Sequence, residues 1–253
     1  HSDSLSVSSG VFSANHLPSP PGLTAVLRPY QLEGFRWLAF LRQHRLGGIL
    51  ADDMGLGKTV QVLALLAQAI AEHEQRADHT EFAPFLVVAP TSVVGNWAQE
   101  AARFVPGAKV VTITESTSKS GKSIAELVQG AHLVLTSYAL FRLDEDGYTE
   151  FGNHVPENAE KSTSPRAGWG ALILDEAQFV KNTKTRAWKV ARALNAQVKL
   201  AITGTPMENN LMELWALLAI VADGLFPSAG MFRDLYARPA ESGEDPQVIE
   251  KLR

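Results

Sequence analysis

The sequence predicts an α/β fold, a doubly wound parallel sheet with helices on both faces. Short apolar runs of strand character alternate along the chain with segments of helical spacing. The runs are almost continuously apolar, which indicates strands buried on both faces, as parallel strands are. Alternation of strand and helix favours right-handed crossovers. Because ligands of such sheets bind outside the carboxyl ends of the strands, functional residues are expected directly after the strand runs.

The apolar pattern predicts both sets of elements in order. Strands are predicted at residues 48–51, 85–89, 109–113, 132–136, 171–174 and 199–202. Helices are predicted at residues 30–42, 58–74, 94–104, 123–128, 185–194 and 211–221. These elements place a single α/β lobe between residues 23 and 226.

Three segments fall outside this rhythm. Residues 1–22 are rich in Ser, Pro and Gly and are interpreted as a flexible leader or linker. Residues 143–169 are polar, and a structureless loop of that length is uncommon inside a compact domain, so we interpret them as an exposed insertion. Residues 227–253 are interpreted as a C-terminal segment that leads towards a second lobe, which is missing from this chain.

Composition excludes several functional classes. The chain has no cysteine, which excludes disulfides, cysteine zinc sites and a thiol nucleophile. Its apolar stretches near residues 62–71 and 214–222 are shorter than the ~18 residues that suggest a membrane span. The formal net charge of -4 gives no general attraction to nucleic acid, so any DNA contact must be local.

A phosphate-binding loop is predicted between the first strand and the following helix. The run GGILADDMGLGKTVQ contains a strand end, a turn with Gly55 and Gly57, and then Lys58 and Thr59 at a helix start. Glycines let backbone N–H groups turn inward, and the helix N-terminus favours a phosphate. Lys58 would reach the phosphates and Thr59 would hold Mg²⁺. The plain phosphate-loop pattern has Gly at the position that Asp52 occupies here.

An acidic pair, Asp175 and Glu176, follows the apolar run ALIL. In a parallel sheet this strand end lies on the same edge as the phosphate loop. Asp175 is then expected to bind Mg²⁺ and Glu176 to polarise an attacking water. On its own such a pair is equally typical of a solvated turn, and the phosphate loop is what favours the catalytic interpretation.

Six segments occur in a familiar order: LRPYQLEGFRWL, ILADDMGLGKTVQ, LVVAPTSVVGNW, LTSYAL, LILDEAQFVKN and LAITGTPMENNLMELWALL. Together they resemble the motifs of the Swi/Snf-type ATPases of helicase superfamily two, and their wording is similar to the bacterial branch. The resemblance covers roughly residues 25–226. It implies the first RecA-like lobe of an ATP-dependent motor that acts on double-stranded DNA, in a cytoplasmic, nucleoid-associated protein.

The resemblance also assigns roles to residues. Gln31 would bind the adenine edge, although by itself it is more typical of a surface glutamine near a capped helix start. ATP would be held by Gln31, Asp52, Met54, Gly55, Leu56, Gly57, Lys58 and Thr59, with Mg²⁺ on Thr59 and Asp175. Contact with DNA, or coupling to it, would involve Pro90, Thr91, Thr136, Ser137, Tyr138, Gln178, Thr203, Gly204 and Thr205. Capping of helices and simple strand-end turns are the alternative interpretations of these hydroxyl residues.

The remaining features are Trp97, a cluster of basic residues and the partners that the resemblance implies. Trp97 is expected in the core rather than on a base. The basic residues Lys181, Lys184, Arg186, Lys189 and Arg192 fit a solvated helix face as well as a DNA contact. The family's second lobe supplies arginines to the γ-phosphate, and no segment after residue 226 resembles it. We therefore expect a second RecA-like lobe and a DNA-bound protein complex as partners, and no membrane. The alternatives are a strand-separating helicase lobe and a non-catalytic, nucleotide-gated interaction module.

Overall fold

The structure, a computed structural model, describes residues 17–51, 57–76, 81–153, 168–204 and 211–239. Its centre is a six-stranded sheet in which every pair of neighbours is parallel. The strands are β1 (Gly48–Leu50), β2 (Phe85–Ala89), β3 (Val110–Thr112), β4 (Leu133–Ser137), β5 (Ala171–Leu174) and β6 (Lys199–Ile202). Across the sheet their order is β1-β6-β5-β2-β4-β3.

Helices connect these strands and cover both faces. They are α1 (Pro29–His44), α2 (Lys58–Glu74), α3 (Thr91–Phe104), α4 (Thr117–Ser120), α5 (Ile124–Val128), α6 (Tyr138–Leu143), α7 (Glu145–Gly152), α8 (Arg186–Ala193), α9 (Leu211–Val221) and α10 (Ala229–Phe232). A 3₁₀ helix at Ala177–Val180 and a π-helical turn at Arg233–Ala237 complete the described elements. The doubly wound α/β fold predicted from the sequence is confirmed.

The burial of the strands follows from their sequences. All residues of β2, β4 and β5 are buried, because apolar side chains alternate between two hydrophobic clusters, one on each face. The helix α2 packs ten buried residues against one of these faces and α1. On the other face α9 is apolar on nearly every side and is also buried. Five elements have the bounds predicted from the sequence, namely β2, β5, β6, α2 and α9.

The interpretation of residues 143–169 as an exposed insertion is wrong for its first part. Helix α7 occupies Glu145–Gly152, and Tyr148 is fully buried against Phe141 and Trp169. The Tyr148 hydroxyl donates to Thr136 Oγ1 at 2.9 Å, and the Trp169 indole donates to the Tyr148 carbonyl at 2.9 Å. A few aromatic residues therefore anchor a segment that is polar on average. Residues 154–167 lie outside the described part of the chain, as do the leader up to residue 16 and residues 240–253.

Candidate nucleotide site

The sheet topology brings three predicted site segments to one edge. Strand β6 lies between β1 and β5, so the start of α2, Thr203 and Asp175 follow the carboxyl ends of adjacent strands. The backbone N–H of Thr203 donates to the Leu50 carbonyl at 3.1 Å, and that of Asp175 donates to the Val88 carbonyl at 2.9 Å. Neighbouring strands lie about 4.8 Å apart, so these groups share a small site.

The start of α2 is a helix N-terminus preceded by a left-handed glycine. Gly57 is the N-cap with φ 74°, a left-handed conformation that disfavours other residues, and Lys58 and Thr59 open the helix half-buried. The Gln31 side chain lies against this turn, because a Cβ on Gly57 would be only 2.5 Å from Gln31 Nε2. The Gln31 Oε1 accepts from the Arg28 N–H at 2.9 Å. The structure thus brings Gln31, Gly57 and Lys58 together, as the sequence interpretation requires.

The acidic pair is held in a defined arrangement. The Glu176 backbone N–H donates to Asp175 Oδ1 at 3.0 Å, and Gln178 Nε2 donates to Glu176 Oε2 at 2.8 Å. Glu176 has φ 50°, which is uncommon for a residue with a side chain and recurs at functional sites. Burial raises the pKa of Asp175, whereas its hydrogen-bond donors and the nearby charge of Lys58 lower it.

Two aromatic donors that the sequence analysis placed elsewhere contact Asp175. The Trp97 indole, 1% exposed, donates from Nε1 to Asp175 Oδ2 at 2.7 Å. The Tyr138 hydroxyl donates to the Asp175 backbone carbonyl at 2.8 Å, and burial raises its pKa well above the usual range. Trp97 is in the core as expected, but its donor has a specific partner. Glu100, on the same helix as Trp97, has a pKa raised by burial and by the charge of Asp175.

Comparison with known proteins decides the family. Residues 30–253 match the family model described as an SNF2-related domain. The chain belongs to the SNF2-related family. Its fold matches the solved Sulfolobus solfataricus SWI2/SNF2 ATPase core in complex with dsDNA, with a TM-score of 0.74, 32% identity, and coverage of 93% of this chain and 44% of that one. The RecA-like fold expected from the motifs is therefore confirmed.

Curated relatives of this SNF2-related chain come from bacteria and eukaryotes. It is 34% identical over 244 residues to the putative ATP-dependent helicase/translocase YwqA of Bacillus subtilis, covering 95% of this chain and 24% of that protein. It is 38% identical over 226 residues to the chromatin-remodeling ATPase INO80 of Pyricularia oryzae, covering 89% of this chain and 11% of that protein. The chain thus spans a quarter or less of the length of these relatives.

The residues predicted to contact DNA divide into two groups. Thr91 is exposed and Pro90 half-buried at the start of α3, and Gln178 is exposed beside the acidic pair. By contrast, Thr136 is fully buried and accepts from Tyr148, and Tyr138 is 6% exposed and donates to Asp175. The fold encloses these two side chains, so a DNA contact at either position would have to involve its backbone, and the role predicted for both residues stays a prediction. Ser137 is also buried, and its hydroxyl caps α6 by accepting from the Leu140 N–H at 3.3 Å.

The basic residues near α8 are largely occupied by acidic partners. Lys181 lies 3.3 Å from Glu213 with only 8% of its side chain exposed. Arg186 makes a bidentate pair with Glu145 at 2.7 Å, and Arg192 lies 3.5 Å from Asp223. Lys184 and Lys189 are exposed. These contacts favour the solvated helix face over a continuous basic track.

The remaining predicted site residues divide by where the chain is described. Thr203 is buried, and Gly204 follows it in a bend. Asp52, Met54, Gly55, Leu56 and Thr205 lie outside the described residues. Within the described ranges, no group of three or more His, Cys, Asp or Glu side chains is arranged to hold a metal. None of the helices described is both long and apolar enough to cross a bilayer.

Proposed function

We propose that this chain is the ATP-binding lobe of a DNA-dependent ATPase that moves along double-stranded DNA or remodels DNA–protein complexes. The observation that carries the proposal is the strand order β1-β6-β5, because Lys58 follows β1 and Asp175 follows β5 at the same edge of the sheet. A cation at a helix start and a carboxylate at a nearby strand end are the two charges that a magnesium nucleotide requires.

The donors present suit Mg·ATP. Mg²⁺ prefers hard oxygen ligands and binds through one or two carboxylates together with substrate phosphates, so Thr59 and Asp175 provide a fitting pair. When bound, Mg²⁺ neutralises charge that develops on the phosphate oxygens. Lys58 would bind the phosphates, and the Gln31 amide, already seated against Gly57, would bind the adenine edge. The contact of Gln31 with the loop supports ATP over a nucleotide that lacks this edge.

Glu176 would orient and polarise the attacking water. Gln178 donates to its carboxylate at 2.8 Å, and the backbone at Glu176 is left-handed with φ 50°. A module that only switches conformation with nucleotide has no need of such a base. Replacing Glu176 with Gln retains the size of the side chain and removes its charge, so a motor should lose turnover whereas a switch should keep its response.

The lobe alone should hydrolyse ATP slowly. Transfer of a phosphoryl group depends on neutralising charge over the γ-phosphate, and an arginine finger is worth about 10³–10⁵ in rate. Lys58 and the Mg²⁺ ligands supply part of this, and the resemblance assigns the arginines to a second lobe. We therefore propose that catalysis needs closure of two lobes around the nucleotide.

Double-stranded DNA is proposed as the track. The Sulfolobus core that this chain resembles was solved with dsDNA. Here the exposed Thr91 and half-buried Pro90, at the carboxyl end of β2, suit contact with a sugar-phosphate backbone, which positions DNA without reading its sequence. A strand-separating helicase is the rival, and it predicts that a forked duplex stimulates ATP turnover more than a blunt duplex does.

Nucleotide binding is the first test. Titration calorimetry of Mg·ATP into the chain and into Lys58→Ala should show binding that the substitution abolishes or weakens severely. Lys189→Ala, which removes an exposed lysine on α8, is the control and should bind as the unmodified chain does. Equal binding by the chain and by Lys58→Ala would refute the assignment of the phosphate site.

A further inference from the structure

Asp175 is held by three hydrogen-bond donors, two of which come from distant segments. Glu176 N–H donates to Oδ1 at 3.0 Å, Trp97 Nε1 donates to Oδ2 at 2.7 Å, and the Tyr138 hydroxyl donates to the backbone carbonyl at 2.8 Å. Both carboxylate oxygens therefore have a partner inside the protein. The rotation of the carboxylate about its own bond is fixed, and so is the backbone that carries it.

Trp97 contributes a hydrogen bond to the Asp175 carboxylate as well as packing in the core. An indole N–H is a donor only, and hydrogen bonds to an ionised acceptor are roughly twice as strong as neutral ones. Trp97 is 1% exposed and lies on α3, whose first residue is Thr91. The helix that begins at the end of β2 therefore reaches the Asp175 carboxylate directly.

The Tyr138 contact joins a second strand end to the same residue. Tyr138 is the first residue of α6 and follows Ser137, the last residue of β4. Its ring is stacked against Phe179 at 5.2 Å, two residues beyond Ala177 in the 3₁₀ helix. The ring is thus clamped on one side, and its hydroxyl can hold the Asp175 carbonyl in place.

We propose that Trp97 and Tyr138 are positioning residues that orient Asp175 for Mg²⁺ and tie the metal site to the strand ends of β2 and β4. The inference rests on the proposed function, in which Asp175 binds Mg²⁺ and the start of α3 lies on DNA. Displacement of α3 by DNA then changes the orientation of Asp175. By thermodynamic linkage, DNA alters Mg·nucleotide affinity and the nucleotide alters DNA affinity by the same factor.

The chain offers a matched control for each aromatic donor. Trp97→Phe removes the N–H and keeps a buried ring. Trp169→Phe removes an equally buried N–H, which donates to Tyr148 at 2.9 Å away from the site. Tyr138→Phe removes one oxygen, and its control Tyr148→Phe removes the hydroxyl that donates to Thr136 at 2.9 Å. Each control loses a hydrogen bond of similar length without touching Asp175.

The measurement is the Mg²⁺ concentration that half-saturates binding of a non-hydrolysable ATP analogue, followed by calorimetry with and without duplex DNA. Partners that orient metal ligands are typically worth 10–100-fold in metal affinity, so W97F should raise this concentration by about that factor. Y138F should raise the half-saturating Mg²⁺ concentration by about tenfold or less, since the Tyr138 hydroxyl holds the Asp175 backbone by one neutral hydrogen bond. Both controls should match the unmodified chain. At saturating Mg²⁺ the analogue should bind all five chains similarly.

The outcomes separate the two hypotheses. If the unmodified chain shows no Mg²⁺-dependent binding, the proposed function fails. If it binds but W97F behaves like W169F, the positioning role is refuted. If DNA leaves the half-saturating Mg²⁺ concentration of the unmodified chain unchanged, the link to the DNA edge is refuted. Should W97F fail to fold, Y138F carries the test, because loss of a single oxygen leaves the ring in place.

Discussion

Gly57→Ala tests whether the contact between Gln31 and the start of α2 belongs to the nucleotide site. The substitution has two separable costs. Gly57 is left-handed, and an alanine there is strained by about 1–2 kcal/mol. The added Cβ would also lie 2.5 Å from Gln31 Nε2, so the Gln31 side chain must move. This movement would weaken or break the hydrogen bond that Gln31 accepts from the Arg28 N–H, which is worth about 0.5–1.5 kcal/mol.

Gly130→Ala supplies the control, because Gly130 is left-handed at φ 68° but has open space where a Cβ would be. Chemical denaturation should show that Gly130→Ala loses about 1–2 kcal/mol of unfolding free energy, and that Gly57→Ala loses up to about 1.5 kcal/mol more. Calorimetry should show that only Gly57→Ala weakens ATP binding, by up to about tenfold. In a Gln31→Ala background Gly57→Ala should add little further loss. Strictly additive losses in binding would refute a shared role for Gln31 and Gly57.

Three further predictions concern stability, turnover and DNA. His132 accepts from the Lys109 N–H, and its pKa is lowered by burial and then by the charge of Lys109, so the folded state resists protonation. The contribution of neutral His132 to the unfolding free energy should therefore be fully present above about pH 6.5 and be lost as the pH drops below it. Denaturation curves of His132→Gln should show a weaker dependence of the unfolding free energy on pH in that range. ATP turnover by residues 1–253 should be at least about 10³-fold slower than by a chain extended through a second lobe, and rates within tenfold would disprove the two-lobe proposal. DNA binding by this chain should be weak, salt-sensitive and indifferent to sequence in a titration, because its net charge is -4 and the proposed contacts are to phosphate; a strong base preference would contradict it.

The sequence by itself determined the class of fold and the strands, and it predicted which residues would form the proposed nucleotide site. Apolar runs such as residues 85–89 and 171–174 report burial on both faces, so their strands were predictable at the correct bounds. Lys58 and Asp175 were predictable as partners because parallel strands end on one edge. The polar stretch after residue 143 misled the prediction, since average polarity conceals buried side chains such as Tyr148 and Trp169.

Only the tertiary structure decided which polar groups face the proposed nucleotide and DNA sites and which form hydrogen bonds inside the fold. Thr136, Ser137 and Tyr138 have the side chains of a DNA contact, yet packing of α6 and α7 gives each an internal partner or a cap. Trp97 is a residue type typical of the core, yet its indole N–H donates a hydrogen bond to the Asp175 carboxylate. A hydrogen bond depends on the direction of a donor as well as its identity, and direction is fixed by how α3 packs on the sheet rather than by local sequence.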